Sequence, residues 1–156
     1  MIIRKAEYKD IDQILVLLSQ VLEIHAKLRP DIFVSGTTKY NHEFLEKMLD
    51  DESLMIDVAI EEDIVLGYAM YEIIRPKFES TMRPMDILYL DDLCVEEKCR
   101  GQHIGKALFE HVISVAKQMG CYSINLYSWE GNDAAKKFYN KMGMHVKAST
   151  MEYIIK

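Results

Sequence analysis

A short turn rich in glycine has the residue types of an anion-binding site. It consists of Arg100, Gly101, Gln102, His103, Ile104 and Gly105, and is called the glycine turn below. A strand-like run precedes it at residues 86–95, and residues 106–119 have the apolar spacing of a helix. The first N–H groups of a helix lack intrahelical partners and carry the positive end of the helix dipole. The pattern therefore predicts a phosphate site at the start of this helix.

The spacing of the two glycines argues against the common phosphate-binding loops. A P-loop has four residues between its glycines and then Lys followed by Ser or Thr. Here three residues separate Gly101 from Gly105, and Lys106 is followed by Ala107. The dinucleotide fingerprint G-x-G-x-x-G belongs near the start of a βαβ unit, whereas this turn comes late in the chain. A nucleotide-binding domain is therefore disfavoured.

Two adjacent carboxylates and a later tyrosine have the chemistry of proton transfer. Asp91 and Asp92 lie in the strand-like run, where alternation sends them to opposite faces unless a bulge intervenes. Glu72, on the neighbouring predicted strand, is a reserve candidate for a base. Tyr139 follows Phe138 on the apolar face of a later helix, where aromatic residues commonly belong to the core. On residue types alone, surface or core roles for these side chains stay open.

Composition restricts the class of protein. The 156 residues, 49% of them hydrophobic and 28% charged, predict one soluble domain spanning 1–156. A net charge of −6 argues against nucleic acid as a partner. Cys94, Cys99 and Cys121 form no C-x-x-C pair, and the histidines lack ligand spacing, so we expect reduced thiols and no metal. With no membrane-length apolar run and no hydrophobic leader, we expect a cytoplasmic protein without a membrane partner.

Periodicity predicts an alternation of strands and helices. Asp10 and Gln13 have the spacing of a capping box at the start of the first helix. The acidic residues 61–63 between two β-rich runs predict an antiparallel hairpin. The predicted strands are 2–5, 54–60, 64–74, 86–95, 122–127, 144–148 and 150–155, and the predicted helices are 10–28, 41–49, 106–119 and 132–142.

The order of elements and three stretches of sequence together resemble the GNAT superfamily of acyl-CoA N-acyltransferases. The glycine turn resembles its [Q/R]-x-x-G-x-[G/A] signature, and residues 92–95 resemble its bulged fourth strand. Residues 132–143 resemble its N-x-x-A-x-x-F-Y-x-x-x-G helix. The resemblance implies an α/β (α+β) fold, with a mixed, mostly antiparallel twisted sheet of about six to seven strands and about four helices.

The resemblance also implies a reaction and a set of site residues. We expect transfer of an acetyl group from acetyl-CoA to a primary amine of a small molecule or peptide, by direct attack. Asp91 or Asp92 is expected to accept the proton of the amine, directly or through water, and Tyr139 to protonate the leaving thiolate. The expected cofactor contacts are Leu93 and Val95 through their backbone, Arg100, Gly101, Gln102, His103, Ile104, Gly105 and Lys106 at the phosphates, and Asn132.

One position departs from the signature, because His103 stands where the family has its first glycine. Its side chain would either obstruct the close approach of a phosphate or help to neutralise it. A non-catalytic acyl-CoA-binding sensor or partner module therefore remains an alternative function. The resemblance places acceptor recognition in residues 27–40 and 75–85, and a homodimer through the terminal strands is expected by analogy.

Overall fold

The computed structural model describes residues 1–77 and 80–156. Most predicted elements are confirmed, with boundaries that differ by one or two residues. The strands are β1 (Ile2–Lys5), β2 (Met55–Glu61), β3 (Ile64–Ile74), β4 (Ile87–Val95) and β5 (Ser123–Leu126). The helices are α1 (Ile11–Leu28), α2 (His42–Asp51), α3 (Ile104–Gln118) and α4 (Asp133–Lys141).

The strands form one mixed sheet in the order β1-β2-β3-β4-β5. The first three pairings are antiparallel, and the predicted hairpin of β2 and β3 is among them. β5 alone runs parallel to its neighbour β4, because α3 carries the chain back across the sheet between them. The predicted fold class, mixed and mostly antiparallel, is confirmed.

Helices cover both faces of the sheet and divide the core into two layers. On one face α1 and α2 bury Ile14, Leu18 and Leu45 against Val58 and Met70 of the central strands. On the other face, side chains of α3 and α4 pack against β3 and β4; they include Leu108, Phe109, Val112, Phe138 and Tyr139. Alternate residues of the central strands therefore serve opposite layers, as the pleat requires.

The two predicted terminal strands, 144–148 and 150–155, are wrong, because this segment has no regular secondary structure. The sheet of the described residues therefore has five strands rather than six or seven. The apolar side chains that suggested strands stay largely exposed, including Met151 at 93% and Ile155 at 89%. Alternation alone does not form a strand when no neighbouring strand buries its apolar side chains.

The predicted capping box of Asp10 with Gln13 is also wrong. Asp10 is the residue before α1, but its buried carboxylate makes a bidentate ion pair with Arg4 and accepts from the backbone N–H of Glu7. Gln13 instead bonds Val65 and Asp63 of the sheet. A buried charge takes the partner that compensates it most strongly, and here that partner is an arginine on β1.

Candidate active site

A cavity of about 560 Å³ opens where β4 and β5 separate. Their pairing ends at Leu90 and Leu126, although β4 continues to Val95. Residues 92–95 of β4 therefore pair with β3 only and leave their other edge open. Leu93 and Val95, predicted to bind a cofactor through their backbone, lie on this open edge and line the cavity. An open strand edge of this kind can pair with an extended ligand.

A β-bulge brings both candidate carboxylates into the same cavity. Met70 pairs with Asp92 and Tyr71 pairs with Leu90, so Asp91 is an additional residue on β4. The predicted bulge of this strand is confirmed. Because the bulge interrupts alternation, Asp91 and Asp92 both line the cavity instead of facing opposite sides of the sheet.

Asp91 is held by two residues from the segment between α1 and α2. The ammonium of Lys39 donates to both carboxylate oxygens of Asp91 at 2.9 Å. The hydroxyl of Tyr40 donates to Asp91 Oδ2 at 2.7 Å, and burial with the nearby carboxylate raises the pKa of Tyr40 above its usual range. Asp91 therefore already has a cationic partner that matches an alkylammonium ion.

Asp92 has a different environment. The hydroxyl of buried Tyr68 donates to Asp92 Oδ2 at 2.8 Å. Desolvation raises the pKa of Asp92 to about 6, against the opposing effect of the Tyr68 hydrogen bond. A carboxyl with this pKa is ionised at neutral pH yet accepts a proton more readily than an ordinary aspartate.

Tyr139 projects from α4 toward the same cavity. Its ring packs edge-on against Phe138 and Phe109, with centroid distances of 5.1 and 5.9 Å. Burial raises the pKa of Tyr139 above its usual range, and the charge of Asp92 raises it further. The ring packs in the core and the residue also lines the cavity, so a core position is compatible with the predicted catalytic role.

The glycine turn lies beside the cavity, and Arg100 is its member in the cavity lining. Gly101 and His103 have positive φ angles of 81° and 64°. His103 therefore adopts the left-handed conformation that glycine takes easily, so its side chain does not prevent the turn. The side chain of Ile104 is buried, which leaves its backbone as the group that a ligand could meet. Lys106 is exposed and pairs with Glu110 at 3.7 Å.

Asn132, predicted to contact the cofactor, caps α4. Its side-chain oxygen accepts from the backbone N–H of Ala135 at 3.2 Å, and the residue also lines the cavity. Cys94 is buried, and burial raises the pKa of its thiol to about 12. A thiol with this pKa is not a nucleophile at neutral pH, which agrees with a structural role.

Sequence reasoning missed part of the cavity wall. His25, Phe33 and Trp129 form an aromatic cluster with centroid distances of 5.2 Å for each neighbouring pair. Phe33 belongs to the predicted acceptor segment 27–40, but His25 lies within α1 and Trp129 follows β5. No local pattern connects them, and the single tryptophan of the chain is the only sequence feature that could have drawn attention to this wall.

Two other predictions do not find support at the cavity. Glu72, the reserve base, is not a lining residue. Of the predicted acceptor segment 75–85, residues 78 and 79 lie outside the described residues, and the described remainder does not line the cavity. Arg75 instead pairs with Asp86 at 2.8 Å.

Two features are absent from residues 1–77 and 80–156. Within those ranges no cluster of His, Cys, Asp or Glu side chains is arranged to hold a metal ion. None of the helices there combines the length and apolarity needed to cross a bilayer.

Similar proteins carry acetyltransferase names. Thialysine N-epsilon-acetyltransferase from Bos taurus is 29% identical over 150 residues, covering 90% of this chain and 82% of that protein. Glucosamine 6-phosphate N-acetyltransferase from Arabidopsis thaliana is 35% identical over 63 residues, covering 40% of each protein. The solved structure of the Arabidopsis thaliana enzyme superimposes with a TM-score of 0.70 at 23% identity, covers 99% of this chain and 98% of its own, and shows the fold alone.

A crystal structure of a mutant of the BH1408 protein from Bacillus halodurans is more similar. It superimposes with a TM-score of 0.94 at 33% identity and covers 100% of both chains. The model of the acetyltransferase (GNAT) family matches residues 19–144, which include the bulged strand, the glycine turn and Tyr139. The resemblance predicted from the sequence is confirmed, and the chain belongs to the GNAT family of acetyltransferases, which are acyl-CoA-dependent N-acyltransferases.

Proposed function

We propose that this chain transfers an acetyl group from acetyl-CoA to the primary amine of a small aliphatic molecule or peptide. The observation that carries the proposal is the meeting of Asp91, Asp92 and Tyr139 in one cavity beside an open strand edge. The reaction needs a proton acceptor for the amine and a proton donor for the thiolate, and these side chains have those capacities.

Asp92 is the proposed base. An aliphatic amine has a pKa of about 10.4 and must lose a proton before it can attack. Asp92 is ionised at neutral pH, its pKa is about 6, and its hydrogen bond comes from the neutral hydroxyl of Tyr68. It can receive the proton directly or through a water molecule. Asp91, which binds the ammonium of Lys39, is the proposed site for the charge of the incoming amine.

Tyr139 is the proposed acid. Its hydroxyl is protonated at neutral pH, as for any tyrosine, and lines the cavity where it can donate to a thiolate as the carbon–sulfur bond breaks. Packing against Phe109 and Phe138 restricts the ring and fixes the direction of its hydroxyl. A positioned donor of this kind contributes more than a mobile one.

The proposed cofactor site runs from the open edge of β4 to the start of α3. Acetyl-CoA supplies the reactive thioester when it is bound. The backbone of Leu93 and Val95 offers the hydrogen-bonding edge, and Asn132 lies across the cavity. The proposed phosphate contacts are the backbone N–H groups of the glycine turn with the charges of Arg100 and Lys106. These phosphate contacts require no particular side chain at His103, because the N–H groups belong to the backbone.

The proposed acceptor is an aliphatic amine that is cationic in water. The names of two relatives, for thialysine and glucosamine 6-phosphate, both describe amine substrates. In this chain Asp91 already binds an alkylammonium group, and Phe33 and Trp129 give the cavity an aromatic wall. This combination of a carboxylate and aromatic rings suits an ammonium group on an apolar stem.

The proposal is tested by comparing the wild type with Tyr139→Phe, which removes the hydroxyl and keeps the ring. Acetyl-CoA should raise the melting temperature of both proteins, because it binds the native state. Release of free CoA thiol with an accepted amine should fall roughly a hundredfold in the variant, with a similar KM for acetyl-CoA.

Two results would count against parts of the proposal. An unchanged rate would remove Tyr139 from the acid role. Binding of acetyl-CoA without turnover of any amine would instead favour the sensor module.

A further inference from the structure

A lysine of this chain occupies the position proposed for the substrate amine. Lys39 lines the cavity together with Asp91, Asp92 and Tyr139. Its Nζ lies 2.9 Å from both oxygens of Asp91. Of the lysines in the described residues, Lys39 is the one that lines this cavity.

The neighbouring residues hold this lysine at the cavity. The Lys39 ammonium lies 5.3 Å from the centre of the Tyr40 ring, and Tyr40 Oη donates to the same carboxylate at 2.7 Å. The Tyr40 ring stacks on Phe44 of α2 with a centroid distance of 4.9 Å, which anchors the segment to that helix. Asp91 is the bulged residue of β4, and its carboxylate is held by the hydrogen bonds from Lys39 and Tyr40. Both partners of the ion pair are therefore positioned before any substrate arrives.

We propose that the protein acetylates its own Lys39 at Nζ, within one molecule, when acetyl-CoA is bound and no external amine competes. The inference rests on the proposed function, because it uses the same donor and the same cavity. It adds a modification site and a second acceptor, one that is part of the chain.

The proposed transfer converts the Lys39 ammonium group into an amide. The Lys39 ammonium gives one proton to a cavity carboxylate, and the nitrogen lone pair attacks the thioester carbonyl carbon. The new carbon–nitrogen bond forms, the carbon–sulfur bond breaks, and CoA leaves as a thiolate. The thiolate takes one proton, and the nitrogen loses its second proton as the amide forms. The products are N-acetyl-Lys39, CoA thiol and one proton that passes to solvent.

Acetylation changes the contacts of Asp91. The acetylated side chain is neutral and retains one N–H in place of the ammonium. The charge-assisted pair with Asp91 is lost, and the carboxylate becomes available to an external ammonium. The ammonium group of Lys39 therefore occupies Asp91 until the first acetyl transfer neutralises it.

The test follows acetylation of individual lysines by mass spectrometry after digestion of the full chain. The chain is incubated with acetyl-CoA and no added amine. Lys136 is the matched internal control, because its side chain is 53% exposed and paired with Glu130, while that of Lys39 is 47% exposed and paired with Asp91. We expect acetyl groups to accumulate on Lys39 at least roughly tenfold faster than on Lys136, because Lys39 is held in the cavity proposed to bind the acetyl donor.

Three variants and one concentration series complete the design. Lys39→Arg keeps a cation for Asp91, and the acetylated peptide should be absent from its digest. Tyr139→Phe and Asp91→Asn should both slow the acetylation of Lys39. Neither of these two variants should change the rate of acetylation of Lys136. The first-order rate constant for acetylation of Lys39 should not depend on protein concentration, since the bound acetyl-CoA and Lys39 belong to the same protein molecule.

Equal rates at Lys39 and Lys136, or a rate that rises with protein concentration, would overturn the inference. Turnover of external amines with no modified Lys39 would overturn the inference and leave the proposed function standing. Absence of acetyl-CoA binding would contradict both the proposed function and the acetylation of Lys39.

Discussion

At the scale of single residues, two adjacent aspartates have been given different chemistry by their surroundings. Asp91 meets a lysine and a tyrosine hydroxyl, whereas Asp92 meets a buried tyrosine hydroxyl and has a pKa raised to about 6 by desolvation. Sequence alone could not assign these roles. Lys39 and Asp91 are 52 positions apart in the sequence, and no local spacing predicts that they form an ion pair.

The pH dependence of the rate tests the role of Asp92. A base must be unprotonated, so kcat/KM for an accepted amine should fall about tenfold per pH unit below a pKa near 6. Asp92→Asn should remove this acid limb and leave a low rate that rises only as the ammonium group of the substrate loses its proton at higher pH. Asp91→Asn is the matched control and should keep the limb. The role of Asp92 is refuted if both variants retain it.

Asp92 should also reduce the stability of the folded protein at neutral pH. Its pKa is about 6 in the folded state against an ordinary value of 3.8, so the folded state binds the proton more tightly. The stability linked to this raised pKa is fully present below about pH 4 and is lost as the pH rises through 6. The Asp92→Asn variant has no carboxyl group to ionise at this position, so its folding stability does not fall in this way as the pH rises.

We therefore expect the free energy of unfolding of Asp92→Asn, relative to wild type, to increase between pH 4 and 6 and then level off. The difference should reach on the order of 1–3 kcal/mol, measured by urea denaturation across that range. A difference that does not vary with pH would show that Asp92 is not desolvated in the native state.

At the scale of elements, the separation of β4 from β5 creates the cavity on one edge of β4, and a close contact with β3 lies on the other edge of β4. Gly67 allows this contact, because a Cβ at that position would lie 2.6 Å from the backbone oxygen of Cys94. Such a distance requires the strands to shift. The bulge at Asp91 lies farther along the same pairing, so the close approach and the bulge together shape the site.

Gly67→Ala should lower the free energy of unfolding by about 1–3 kcal/mol, the usual range for overpacking. Gly105→Ala is a matched control, since a Cβ there would meet Phe138 and Val95 at an ordinary 3.5 Å within a helix. That change should be neutral or stabilising by up to about 1 kcal/mol, because alanine favours helices. Denaturant titration compares them, and equal effects would contradict a steric role for Gly67.

The helices and central strands were predictable because their patterns are local. Asn41 and Asn132 cap α2 and α4 through their side chains, a local interaction that asparagine favours at the start of a helix. The terminal strands failed because residues 144–155 alternate but find no neighbouring strand, and the Asp10 cap failed because Arg4 supplies a stronger partner. Long-range contacts decided both outcomes.

At the scale of the whole molecule, the cavity lies between β4 and β5, the last two strands of the sheet. Its walls come from α1, the segment after α1, β4, the segment after β5, and α4, which are far apart in sequence. The resemblance to the family predicted the portions from β4, the glycine turn and α4, but the clustering of Phe33 with His25 and Trp129 emerged only from the fold. The expected homodimer stays a prediction, with the exposed apolar residues after Gly143 as its proposed contact.

The central claim is that this cavity joins an acetyl group to an amine. The most direct measurement incubates the full chain with acetyl-CoA and a panel of amines that includes diamines, amino acids and glucosamine 6-phosphate. It quantifies CoA thiol and N-acetyl product in the same sample. We predict that at least one aliphatic amine yields thiol and N-acetyl product in equal amounts. Binding of acetyl-CoA without an N-acetyl product from any amine, or thiol release without such a product, would contradict the claim.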